Sequence, residues 1–246
     1  MTRYKLLLIS SVVVLAILAC TLPGDEGGAL EEAAPMGNGE VSAPTYTPPV
    51  VSSDDGEKNY RTDSILFQDD FSNPDSGWDR QSYEFGSTDY AEGGYLISAT
   101  APNQVLWANP GQAFKNVSVE VETVWLDGGD DNNLGVICRY QDIDNFYALV
   151  ISSDGYYGIR RALSGSDGFE FIGNDSMQAS DAINMNGRNR LRADCIGSTL
   201  SLYANGELLI QVEDKALTYG DVGLIAGTFS AESTDILFKN FVVYLP

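Results

Sequence analysis

The sequence predicts an all-β protein: two antiparallel sheets packed face to face, preceded by an export segment and a tether. Three observations carry this expectation. From residue 63 onward, short runs rich in Val, Ile, Tyr and Phe are separated by Gly, Asn and Asp, and no segment holds an apolar period of 3.6 residues over a helix length. Asn205-Gly206 sits between two alternating runs, the strongest short-range signal for a β-hairpin. Residues 134–163 string together three strand-like runs divided by two polar turns, the pattern of a meander. About a dozen strands would make one sheet too wide, so two stacked layers are expected.

Within the meander, Leu134, Val136, Cys138 and Tyr140 alternate with Gly135, Ile137, Arg139 and Gln141. Side chains two apart share a face, which sets Arg139 on the face opposite Cys138. Residues 146–152 are almost unbroken apolar, as in a strand covered on both faces. Asp154-Gly155 is expected to supply the positive φ angles of a tight hairpin into 156–163. The other strands are expected at 65–70, 94–100, 104–108, 116–126, 169–173, 189–196, 199–204, 207–213, 221–229 and 234–244, with Gly197-Ser198 as a further hairpin turn.

Acidic residues number 35 against 14 Lys and Arg, a net charge of −21, so a nucleic acid partner is excluded by repulsion from the phosphate backbone. Histidine is absent, which removes Ser-His-Asp and Cys-His catalysis and the commonest transition-metal ligand.

The first residues carry Arg3 and Lys5, and 6–18 is an apolar segment too short to span a bilayer but suited to a signal-peptide core. Ile17-Leu18-Ala19-Cys20 resembles a bacterial lipobox. The resemblance implies a signal peptide over 1–19 and lipidation of Cys20, anchoring the protein outside the cytoplasm at the bacterial cell membrane or outer envelope. The alternatives are a secretory signal that happens to contain Cys and an uncleaved anchor. Residues 20–62 hold five Pro, six Gly and eight acids with only two aromatics. Such a segment buries too little to offset chain entropy and is expected to be a linker with a reach of roughly 35 Å.

Several motifs over 63–246 are similar to the concanavalin A-like, or laminin G-like, jelly-roll superfamily: Phe67-Gln-Asp-Asp-Phe71 with Ser76-Gly77-Trp78, Gly94-Tyr95-Leu96, Gly135-Val-Ile-Cys-Arg139 with Asp144-Asn-Phe-Tyr147, Leu200-Ser-Leu-Tyr-Ala-Asn-Gly206, Gly220-Asp-Val-Gly-Leu224 and Phe238-Lys-Asn-Phe241. The resemblance implies a concanavalin A-like sandwich over 63–246. Its members include lectins, glucanases, keto-disaccharide hydrolase-like domains and adhesive modules. The reading adopted is a non-catalytic module binding a glycan, a cell-envelope polymer or another extracytoplasmic ligand. A glycoside hydrolase and a structural or adhesive envelope protein are the alternatives.

Candidate residues follow from phase. Cys138 and Cys195 both fall on the apolar phase of their strands and, with Cys20 lipidated, form an even pair expected to bridge in an exported protein; two buried free thiols are the alternative. Glu120 and Glu122 are the nearest match to the glucanase Glu-x-Asp-x-x-Glu pattern, whose third acid is missing, and a solvated or Arg-paired outer face explains the same alternation. Arg139, Arg161, Arg190 and Arg192 with Tyr147 and Tyr157 are the candidate ligand surface, provided their strands are neighbours: rings stack on sugars and guanidinium forks grip hydroxyl or carboxylate groups. Cross-strand salt bridges are the competing explanation. No cofactor is expected, calcium excepted: Asp69, Asp70, Asp142 and Asp144 are oxygen ligands of the kind that ion takes, and Asp is equally an ordinary turn residue.

Overall fold

The computed structural model describes residues 64–246 except 92 and 167; the expected signal peptide over 1–19, the expected lipidation of Cys20 and the expected linker over 20–62 lie outside the described residues. Among the described residues, seventeen strands form two antiparallel sheets. The first sheet has nine strands and runs β15 (Glu207–Glu213), β14 (Thr199–Ala204), β13 (Arg188–Ile196), β7 (Val117–Gly128), β17 (Thr234–Tyr244), β4 (Gly94–Ala99), β3 (Gly86–Ala91) and β2 (Gln81–Tyr83). β1 (Ile65–Asp69) joins β17 beyond β4: Tyr95 to Ala99 pair with Phe238 to Thr234, and Asp69 to Ile65 with Phe241 to Tyr244. The second sheet has eight and runs β11 (Glu170–Ile172), β10 (Tyr156–Ala162), β9 (Asn145–Ile151), β8 (Asn132–Asp142), β16 (Gly220–Thr228) and β5 (Val105–Ala108). β12 (Gln178–Ala179) pairs with β10, and β6 (Ala113–Phe114) with β16.

The expected meander is β8-β9-β10. Only Gly155 of its second turn takes positive φ, at 97°, so Asp154 does not contribute the backbone role expected of it. Asn205 and Gly206 both do, at 53° and 89°, as a type I′ hairpin requires. β2, β3, β6 and β12 were not foreseen. Gln81, Ser82, Ser87, Thr88 and Asp89 give β2 and β3 no apolar alternation; β3 pairs with the edge that β4 offers, and β2 with β3 in turn.

The inner faces interlock into one core in which Leu134, Val136, Leu191 and Ala193 are at most 2% exposed, each contributing about 1.5–3 kcal/mol for a larger side chain. Cys138 and Cys195 lie there fully buried and joined, Cα to Cα 6.8 Å, so the bridge crosses from β8 to β13 and ties the two sheets. Just after Cys138 the pairing of β8 with β9 shifts, and Arg139 takes φ 56°. This bulge turns Arg139 inward, 2% exposed, in place of the outward direction simple alternation gives it.

The opening motif is a structural plug. Phe71, Trp78, Tyr95 and Phe241 pack edge to face or tilted with centroids 4.9–5.6 Å apart. Asp69 holds the plug by accepting from the Trp78 indole at 2.9 Å and from the Ser76 hydroxyl.

Candidate functional site

The expected ligand surface does not assemble as one face. On the first sheet, β13 does neighbour β7, with Arg190 opposite Glu122 and Arg192 opposite Glu120. The outer side chains there pair with each other: Arg190 with Glu120 at 2.7 Å, Arg188 with Glu122 at 3.0 Å, and Arg192 with Asp194 at 3.3 Å while stacked 3.7 Å over Tyr203. Asn240 also donates to Glu122. Glu120 is 7% exposed. Both glutamates considered for acid and base work are thus engaged by arginines, in the cross-strand pattern that charge complementarity alone explains.

Arg139, Tyr147 and Arg161 belong to the second sheet and face inward, away from Arg190 and Arg192. They tie down the connection from β15 to β16. The Tyr147 hydroxyl donates to Asp214 and accepts from the Leu217 amide, Arg161 pairs with Asp214 at 2.6 Å and Glu170 at 2.7 Å, and Arg139 donates to the carbonyls of Leu217 and Gly197, both at 2.7 Å. Burial and the bond to Asp214 push the Tyr147 phenol up to about 12. Burial alone would raise Asp214, but bonds from Tyr147 and the Ala216 amide, with Arg161 beside it, bring its carboxyl below the usual range. Tyr157 packs on the main core.

The four calcium candidates are dispersed. Asp69 serves the aromatic plug, Asp70 accepts from the Ser72 amide, and Asp142 caps its own turn by accepting from Asp144 N–H and Asn145 Nδ2. Among the described residues, no group of three or more His, Cys, Asp or Glu is placed to hold a metal ion.

The outer face of the second sheet holds a different arrangement. β9 is apolar on both sides, as its sequence predicts: Tyr147, Leu149 and Ile151 enter the main core, and Phe146, Ala148 and Val150 build a second cluster with Ile137 and Ile225. These floor residues are at most 2% exposed. Above them lie partly exposed Trp107, Tyr140, Phe169 and Met177. Phe146 is the hub, 5.6 Å from Trp107, 5.6 Å from Tyr140 and 5.3 Å from Phe169. The sheet face is therefore filled at its floor, and what meets solvent is an uneven aromatic layer.

Arg160 of β10 reaches into that layer. Its guanidinium lies 4.5 Å over Phe169, 5.2 Å over Phe171 and 6.0 Å over Phe229. It makes no ion pair or hydrogen bond among the described residues, and its Nε is sealed from water without a partner. Burial, with no counter-charge opposing it, holds this group below the ordinary arginine range. The Nδ2 of Asn133, on the same face of β8, is also buried without an acceptor. Ring faces stack on the C–H faces of sugars, and in-plane guanidinium donors bind oxygens, so this face sets apolar platforms beside a guanidinium with no partner of its own. Sequence reasoning missed Trp107 and passed over Arg160; the signal available was the second apolar phase of β9, which shows that something covers it.

No family model and no curated protein sequence matches the chain. Solved structures do match in shape. The carbohydrate-binding module CBM66 from Bacillus subtilis superposes with a TM-score of 0.56 at 15% identity, covering 69% of this chain and 96% of that one. A Bacillus subtilis protein of unknown function with a galectin-like fold gives 0.54 at 12%, covering 75% and 97%. A mixed-linkage glucan GH16 protein from Bacteroides ovatus gives 0.51 at 9%, covering 73% and 100%. At these identities the likeness establishes the fold alone: an antiparallel two-sheet sandwich of the jelly-roll kind.

Proposed function

We propose that the sandwich is a non-catalytic glycan-binding module, held outside the cytoplasm by an acyl anchor at Cys20 and set off from the membrane by the 20–62 linker. The observation that carries the reading is the partly exposed aromatic layer of Trp107, Tyr140 and Phe169 on the outer face of the second sheet, with Arg160 over its Phe169 edge. Two further facts support it. The disulfide suits an oxidising, extracytoplasmic compartment, and CBM66, a carbohydrate-binding module by name, shares the fold. Glu120 and Glu122, the incomplete match to a glucanase pattern, are bound to arginines.

The test is affinity electrophoresis of the purified protein through gels containing neutral and acidic polysaccharides. Retardation by at least one polymer, weakened about tenfold or more by Trp107→Ala through the loss of one stacked ring, is the expected result. Unretarded migration in every gel overturns the reading.

A further inference from the structure

Seven arginines fall among the described residues, and six have their charge or donors engaged. Arg80 pairs with Asp89, Arg161 with Asp214 and Glu170, Arg188 with Glu122, Arg190 with Glu120, Arg192 with Asp194, and Arg139 donates to two carbonyls. In a chain with 35 acids for 14 bases, carboxylates are plentiful, yet Arg160 faces none among the described residues. A half-buried guanidinium without a counter-ion is costly. The rings of Phe169, Phe171 and Phe229 offset part of that cost through their faces, but they leave the in-plane N–H donors unused. Of its three nitrogens only Nε is fully shut off from water without a partner, so the Nη end of the fork is the part a ligand would meet.

Resting on the glycan reading above, we infer that the glycan taken at this face carries an anionic substituent, a carboxylate or a sulfate, which pairs with the guanidinium of Arg160. Both groups present the two coplanar oxygens that a guanidinium fork fits. The Trp107 side of the layer, linked to Arg160 through Phe146 and Phe169, would stack another sugar ring of the same chain. The rest of the protein is strongly acidic and repels a polyanion at long range, so recognition depends on this one short-range pair and responds to its removal.

The experiment compares polymers that differ only in charge: polygalacturonate against its methyl ester for the carboxylate arm, and dextran sulfate against dextran for the sulfate arm. The expected result is binding to at least one anionic member about tenfold or more tighter than to its neutral twin, the worth of one charge-assisted pair. Arg160→Gln should abolish that preference, and Arg160→Lys, which keeps the charge but not the fork, should restore only part of it. Equal binding of both twins, or wild-type binding by Arg160→Gln in a normally melting protein, overturns this inference and leaves the glycan reading intact. Failure to bind any of the four polymers overturns it together with that reading's choice of face. If Arg160→Gln fails to fold, the wild-type comparison of twins still decides.

Discussion

Cys138 of β8 and Cys195 of β13 are bonded across the interior, so the two sheets cannot separate without breaking a covalent link. The bridge closes a loop of 57 residues' separation, which by chain entropy stabilises the fold by about 4 kcal/mol. Guanidinium unfolding with and without reductant should show a midpoint shift of that order, and a Cys138→Ala, Cys195→Ala double variant should match the reduced protein. Coincident curves would rule the bridge out.

The Asp214 cluster makes the β15–β16 connection acid-sensitive. The carboxyl of Asp214 lies below its ordinary range in the folded state, so its contribution is fully present above the unfolded value, near 3.9, and is lost as pH falls through the lower folded value. Wild type should melt above Asp214→Asn at pH 7, and the gap should close progressively below about pH 4. A constant gap would place the stabilisation elsewhere.

Arg139 is a structural side chain. Arg139→Met strips the donors from the buried carbonyl of Leu217 and from that of Gly197 at the exposed β13–β14 turn, and should cost about 1–3 kcal/mol for the Leu217 carbonyl left unsatisfied. Hydrogen exchange should quicken between residues 214 and 219 first, with glycan affinity of the folded fraction unchanged.

Arg160 should behave in the opposite way. Arg160→Met replaces an unpaired, partly buried charge with an apolar chain of similar length, so thermal stability should hold or rise by about 1 kcal/mol while binding of the charged polymer falls. A large loss of stability would show that the guanidinium is held for packing.

Glu120→Gln and Glu122→Gln should leave ligand binding untouched, because both carboxylates act within the first sheet's outer ladder. Glu122→Gln, at a part-exposed pair, should cost no more than about 1 kcal/mol, and Glu120→Gln, at a nearly buried carboxylate, should cost more. Titration of the two variants against the wild type, with a retained polymer, checks this.

Much of the architecture was legible from strand phase. Cys138 and Cys195 share the phase of their apolar neighbours, and the two meet as that phase implies. Arg139 was misplaced because one bulge reverses the direction of a side chain, and a bulge leaves no mark in a two-residue period. Arg190 and Glu120 were correctly set on one surface, but whether facing charges bind each other or a ligand depends on register, which alternation does not specify. The Arg160 face was hidden for a different reason. It is made by β5, β8, β9, β10 and residues 169–177 together, and sequence alone gave no way to bring Trp107 to Phe146.

β17 lies between β7 on one edge and β1 with β4 on the other, so the first and last strands of the sandwich are direct neighbours. The interior of the first sheet consequently stays incomplete until its final strand has left the ribosome, and loop closure over almost the whole domain must precede cooperative folding. Removing the segment from Thr234 onward would split the sheet down its middle, leaving β1 and β4 without their shared partner, and such a fragment should be recovered aggregated or proteolysed instead of folded.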